Sequence, residues 1–193
     1  MKKISIFTFW REENYGAILQ ATALHDTLQH YKNLDVELIS FNPTHSKRSL
    51  LLQIRSFIWN ILRKFLGCAQ RNRRSTQFRK RWITSSPKLK SRKELFQYLI
   101  HRDVCVVGSD QVWNPQMFPK GQNPFLLCDV DTPKKVSYAA SFGVEELDSD
   151  ESSTYERALR QFSALSVRED AGVRIVQKMD LDALVVLDPT LLL

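Results

Sequence analysis

No two cysteines of this chain lie close enough to form a CxxC pair, because Cys68, Cys105 and Cys128 stand far apart. That spacing argues against a zinc site or a disulfide framework and fits a reducing, cytoplasmic setting. The four histidines, His25, His30, His45 and His101, show no metal-ligand spacing. A GxGxxG fingerprint, a Walker loop and a GxSxG elbow are all missing, so nicotinamide-cofactor, P-loop and α/β-hydrolase chemistry gain no support. No stretch reaches the roughly 18 uncharged apolar residues that a membrane span needs. The apolar run after Met1-Lys2-Lys3 imitates a signal peptide, but Arg11, Glu12 and Glu13 end it and no small-residue cleavage site follows. It reads as a buried strand. Internal repeats and low-complexity linkers are absent as well.

Acidic residues are missing from one long segment. Residues 47–93 hold 15 of the 28 Lys and Arg and not one Asp or Glu, whereas the rest of the chain carries 13 basic against 21 acidic residues. The formal net charge of +7 therefore belongs to one segment. Within it, Leu51, Ile54, Phe57, Ile58, Ile61, Leu62 and Phe65 recur at helical spacing, and Gly67 is a stop signal. The reading with most weight is a core-packed helix with a solvated polar face. A basic rim that attracts anionic substrates and an interfacial helix on a membrane are the alternatives. Nucleic-acid binding is disfavoured, since aromatic interleaving is weak and no recognised motif accompanies the charge.

What is present is a repeated order of strand then helix. The apolar runs predict strands over 3–9, 36–41, 104–107, 136–140, 164–167 and 184–187. Periodicity predicts helices over 17–31, 94–100, 151–162 and 170–178. With 43% apolar and 25% charged residues, this is the pattern of one α/β domain built on a Rossmann-like parallel sheet, with a basic helical insertion at about 44–93. The first strand, helix and strand form a βαβ unit with a right-handed crossover. The segment Asp188-Pro189-Thr190-Leu191-Leu192-Leu193 follows a strand with no helix to cover it. Three leucines there predict further residues that this chain does not contain.

In an open parallel sheet, ligands bind beyond the carboxyl ends of the strands, near the switch point. Four loops are placed there: 11–16, 108–115, 141–143 and 168–170. Asn14-Tyr15-Gly16 precedes the first helix, where free N–H groups favour anions, though spacing alone favours Asn14 as a mere helix cap. Gly108-Ser109-Asp110-Gln111-Val112-Trp113-Asn114-Pro115 concentrates donors and acceptors that suit a sugar or nucleotide, or else a structured turn. Ser141-Phe142-Gly143 closes the fourth strand. Arg168 at a strand end has the fork that grips a carboxylate or phosphate, or pairs with Glu169 or Asp170.

In order along the chain, five blocks resemble those of the polysaccharide pyruvyl transferase family. They are Asn14-Tyr15-Gly16-Ala17-Ile18-Leu19-Gln20-Ala21, Val107-Gly108-Ser109-Asp110-Gln111-Val112-Trp113-Asn114-Pro115, Tyr138-Ala139-Ala140-Ser141-Phe142-Gly143, Ser166-Val167-Arg168-Glu169-Asp170 and Leu187-Asp188-Pro189-Thr190. The resemblance spans almost the whole chain and implies the N-terminal half of a GT-B-like two-domain fold with its active site in the cleft. It implies transfer of pyruvyl from phosphoenolpyruvate to a sugar of a cell-surface polysaccharide or its lipid-linked precursor, with no metal or redox cofactor. By matching position, Asp110 and Arg168 are the catalytic candidates. Asn14, Tyr15, Gly16, Gly108, Ser109, Gln111, Trp113, Asn114, Ser141, Phe142 and Gly143 are the substrate-binding ones. The implied C-terminal half, with a catalytic histidine, is expected beyond this chain, so the fragment by itself is not expected to catalyse. Lipid-linked acceptors imply peripheral contact with the inner membrane face. The rival readings are a GT-B-like glycosyltransferase using a nucleotide sugar, and a non-catalytic half-protein.

Overall fold

The computed structural model describes residues 1–11, 14–41, 68–131 and 133–193. Its central sheet contains β1 (Lys2–Phe7), β2 (Leu34–Leu38), β3 (Val104–Val107), β4 (Lys134–Ser137) and β5 (Phe162–Ala164) in the order β2-β1-β3-β4-β5, all parallel. Chain direction reverses its sideways progress between β1 and β3, which makes that gap the topological switch point. Two further short strands, β6 (Ser166–Val167) and β7 (Leu184–Val185), pair parallel to each other. They join the carboxyl edge through a bridge from Ala140 to Val167.

The central strands β1 and β3 are buried on both faces over most of their length, which is why their sequences run apolar instead of alternating. Ile4 and Ile6 of β1, Val36 and Leu38 of β2 and Val106 of β3 share one cluster with Ala21 and Leu24 of helix α1 (Tyr15–Gln29). Phe7, Cys105 and Val107 face the other way. There they meet Leu95 and Leu99 of α3 (Arg92–Leu99), Tyr155, Ala158 and Leu159 of α4 (Ser149–Leu159), and Ile175 and Val176 of α5 (Asp170–Gln177). The period of two along each strand thus feeds two separate cores.

Several elements differ from the periodicity reading. The strand expected over 36–41 starts at Leu34 and ends at Leu38, and Phe41 makes only a single bridge to Leu89. The strand over 136–140 is Lys134–Ser137, because the chain turns at Ala139, whose φ is 48°. The strand over 164–167 is two strands interrupted at Leu165, one pairing with β4 and one with β7. Helix α4 ends at Leu159, which frees Phe162 to start β5, and it buries Glu151, Tyr155, Ala158 and Leu159. The helix expected over 51–65 and its stop at Gly67 lie outside the described residues.

Within the basic segment, residues 68–82 form helix α2 (Cys68–Trp82). Arg, Lys and Gln are strong helix formers without any apolar stripe. The last turn also places Arg79, Lys80 and Arg81 where the helix dipole favours positive charge. After α2 the chain runs beside β2. Ser85 bridges Leu38, and the Leu38 amide donates to the Thr84 carbonyl at 2.9 Å.

One buried polar group ties α3 to the sheet. Glu37 accepts from Ser5 Oγ at 3.0 Å and Tyr98 Oη at 2.8 Å, and pairs with Arg102 at 3.0 Å. Arg102→Ala would strand this carboxylate. A loss of about 3–5 kcal/mol of unfolding free energy is expected, read by urea denaturation.

His25 is buried on α1 and accepts the Thr84 amide at Nε2, 3.4 Å. Burial chiefly, against smaller raising effects from Val36 and Asp26, holds its pKa below 6.5. The fold therefore prefers the neutral ring. Its contribution is complete above the unfolded value of 6.5 and is lost as pH falls from there toward the depressed folded value. The denaturation midpoint should drop on acidification through this window, and His25→Gln should flatten that drop.

Candidate functional site at the strand carboxyl edge

The parallel sheet puts the ends of β1, β3, β4 and β6 on one edge, and their loops interlock there. From β1, Thr8 Oγ1 donates to the Ser109 carbonyl at 2.6 Å. Gln20 of α1 holds this turn by donating to Thr8 Oγ1 (3.1 Å), the Phe9 carbonyl (2.9 Å) and the Ala17 carbonyl (2.9 Å).

Beyond β3 the chain passes through Gly108, with φ of 107°. A Cβ there would lie 2.4 Å from the Tyr138 carbonyl oxygen, so only glycine fits. Ser109 is fully buried. Its Oγ accepts from the Asp110 amide at 2.7 Å and donates to Asp188 Oδ2 at 3.2 Å. Asp110 is half-buried with φ of 78°, and its Oδ1 accepts from the Gln111 amide at 2.8 Å. Its carbonyl accepts from the Ser141 amide at 3.0 Å. Gln111 accepts from Asn114 Nδ2 at 3.0 Å, and Asn114 Oδ1 caps the 3-10 turn Pro115–Met117.

Trp113 and Phe142 are both fully buried, with rings 5.3 Å apart, so these two predicted site side chains belong to the core beneath the edge. Gly143, at φ 63°, is exposed against Asn114 and Gln111; a Cβ would meet Asn114 Nδ2 at 2.7 Å. Ser141 Oγ accepts the Gly143 amide at 3.1 Å.

At the end of β6, Arg168 is half-buried. Nη1 donates to Asp188 Oδ2 at 3.1 Å, and Nε lies 3.8 Å from Glu169 Oε2. The fork is oriented but spends few of its five N–H donors, so an incoming anion still meets hydrogen-bonding edges. Asp188 is the hub. It accepts from Ser109, from Arg168, and at Oδ1 from the Thr190 amide and hydroxyl at 3.0 and 2.8 Å. Burial works to raise its pKa, but the hydrogen bonds from Thr190, Arg168 and Ser109 outweigh that and hold the carboxyl below its usual value. Burial, and then this carboxylate, push the Tyr138 phenol up. Glu169 Oε1 accepts the Phe142 amide at 3.0 Å, closing the ring of loops.

Gly108, Ser109, Asp110, Gln111, Asn114, Ser141, Gly143 and Arg168 are thus parts of one hydrogen-bonded assembly. Asn14, Tyr15 and Gly16 stand apart from it. Asn14 Oδ1 caps α1, accepting the Gly16 and Ala17 amides at 2.9 and 3.4 Å. Tyr15 is exposed and lines a hollow of about 370 Å³ with Ile18, Leu19 and Phe78. Sequence reasoning gave Asp188, Thr8 and Gln20 no place in the site and named Glu169 only as an ion-pair partner of Arg168, although Gln20, Glu169 and Asp188 lie inside the quoted blocks. Among the described residues, no three His, Cys, Asp or Glu side chains converge on a point that could hold a metal ion.

The polysaccharide pyruvyl transferase family model matches residues 14–193, so it covers every loop of this edge from Asn14 onward. The chain belongs to the polysaccharide pyruvyl transferase family. A search of curated proteins finds no match. Membership implies a pyruvyl donor and a polysaccharide acceptor. Among the described residues no helix is long and apolar enough to cross a membrane.

Proposed function

We propose that this domain takes part in moving the pyruvyl group of phosphoenolpyruvate onto a sugar of a cell-surface polysaccharide or its lipid-linked precursor. The family match over 14–193 carries the reading. In it, a proton adds to the methylene carbon of the donor, leaving positive charge at C2. Two sugar hydroxyls add there in turn, phosphate departs with the C–O bond pair, and the two hydroxyl protons are passed on. The products are a ketal carboxylate and hydrogen phosphate.

Arg168 is suited to hold the carboxylate or phosphate of the donor, since its fork is fixed from one side by Asp188. Asp110 is suited to take a hydroxyl proton, since Oδ1 is steadied by the Gln111 amide and the residue is half-buried on the same edge. The facing wall of the cleft is a second Rossmann-like domain, as the GT-B resemblance implies. The reaction belongs on the cytoplasmic side, where phosphoenolpyruvate is made.

The test offers phosphoenolpyruvate and, separately, a panel of nucleotide sugars, each with glycan acceptors. Phosphoenolpyruvate binding, phosphate release and a new ketal methyl signal in the NMR spectrum support the proposal. Nucleotide release without phosphoenolpyruvate turnover points to the glycosyltransferase instead, and absence of phosphoenolpyruvate binding overturns the donor assignment.

A further inference from the structure

Helices α1 and α2 expose apolar side chains on either side of the hollow between them. Tyr15 and Leu19 stand one turn apart on α1, and Leu19 is 43% exposed. On α2, Phe78 is 37% and Trp82 51% exposed, again one turn apart, with ring centroids separated by 6.2 Å. Tyr15, Leu19 and Phe78 line the same hollow of about 370 Å³. The four side chains therefore form one continuous patch, whereas exposed apolar residues that stand singly need no explanation.

Cations border this patch on α2 itself. The helix carries five Arg and one Lys and no Asp or Glu. Arg74 precedes Phe78 by one turn and also lines the hollow. Arg81 stands two turns beyond Arg74, on the same side of the helix, and its guanidinium lies 5.6 Å from the Trp82 ring centroid. Arg73, Arg74, Lys80 and Arg81 are all exposed.

Aromatic and cationic groups interleaved on one exposed helix side match the interface of an anionic bilayer. Leucine and phenylalanine enter the acyl boundary, an indole rests at headgroup level, and arginine stems lie along apolar surface while their heads stay with lipid phosphates. A nucleic acid would use the cations but leave Leu19 of α1 unburied. We propose that this α1–α2 face docks the domain on an anionic membrane surface. Leu19, Phe78 and Trp82 enter the interface, and Arg74 and Arg81 meet lipid phosphates. The proposal stands apart from the pyruvyl-transfer reading, because docking needs neither donor nor sugar.

Co-sedimentation of the full chain with phosphatidylglycerol vesicles at low salt tests it, with phosphatidylcholine vesicles as the reference. Binding to the anionic vesicles alone is expected. Phe78→Ser combined with Trp82→Ser should weaken it tenfold or more, and so should Arg74→Glu combined with Arg81→Glu. All four side chains are exposed, so both variants keep the fold. Lys2→Glu combined with Lys134→Glu makes the same change of charge at exposed positions on the amino ends of β1 and β4, and it should leave binding within twofold. Brominated phospholipids quench an inserted indole, so quenching should disappear in Trp82→Phe. No binding to anionic vesicles overturns the proposal. So does an equal loss in the Lys2 and Lys134 variant, quenching that survives Trp82→Phe, or binding of a single-stranded oligonucleotide in place of vesicles.

Discussion

Arg168→Ala is expected to weaken phosphoenolpyruvate binding by about 100-fold, because removing one partner of a charged, hydrogen-bonded contact costs about 2–5 kcal/mol. Arg168→Lys should recover only part of the loss, since an ammonium keeps the charge and forfeits the fork. The side chain reaches the edge already oriented by Asp188 at 3.1 Å, so the wild-type guanidinium loses little rotamer freedom when the donor arrives. Folding should survive the change. Asp188 retains the Ser109 hydroxyl and both Thr190 donors. Titration calorimetry gives the ratio directly, and unchanged affinity would take Arg168 out of the donor site.

Gly108→Ala is expected to destabilise the domain by at least about 3 kcal/mol, as the large steric and backbone-conformation mechanisms do. The new methyl would sit 2.4 Å from the Tyr138 carbonyl and 3.3 Å from the Ala140 backbone, at φ of 107°. Neither neighbour is a flexible side-chain tip. The Gly108 amide also donates to the Phe7 carbonyl at 3.1 Å, and the Tyr138 amide to the Val107 carbonyl at 3.0 Å. Relief would therefore pull β1, β3 and β4 apart. Gly121→Ala is the comparison. Its φ is 69° but nothing lies within 4 Å, so only the conformational cost of about 1–2 kcal/mol remains. Urea midpoints of the two variants should separate accordingly. Equal midpoints would mean that the Gly108 turn can relax.

The strands were legible wherever burial on both faces wrote an uninterrupted apolar run. Val104-Cys105-Val106-Val107 is the clearest case, read and observed with the same bounds. Strand ends were not legible. They depend on where a partner strand stops, and Ala139 leaves β4 at positive φ without any glycine to announce it. Lys134-Lys135 reads as two surface charges. Yet Lys135 is buried, donating to the Leu127 carbonyl at 2.9 Å and to Gln161 Oε1 at 2.5 Å, and burial lowers its pKa. Its acceptors come from a 3-10 turn and a helix end that no local pattern connects.

The candidate edge shows the same division. Asn14 as a helix cap is a local property and was visible in the Asn-x-Gly spacing. Trp113 and Phe142 as core aromatics were not, since an aromatic in a polar loop has equal local reasons to face a sugar or the sheet. Asp188 could be seen to end a strand. That it gathers Ser109, 79 positions earlier, and Arg168, 20 positions earlier, required the chain to be folded.

Sequence alone determined the class of this protein, because alternating strand and helix periodicities admit a parallel sheet and because five ordered blocks carry the family. It also pointed to the candidate edge beyond the strand ends, since parallel strands joined by helices all finish on one side. Only the tertiary structure decided which side chains on that edge meet one another and which are buried beneath it. Those outcomes depend on contacts between residues tens of positions apart, whose energies no local pattern encodes.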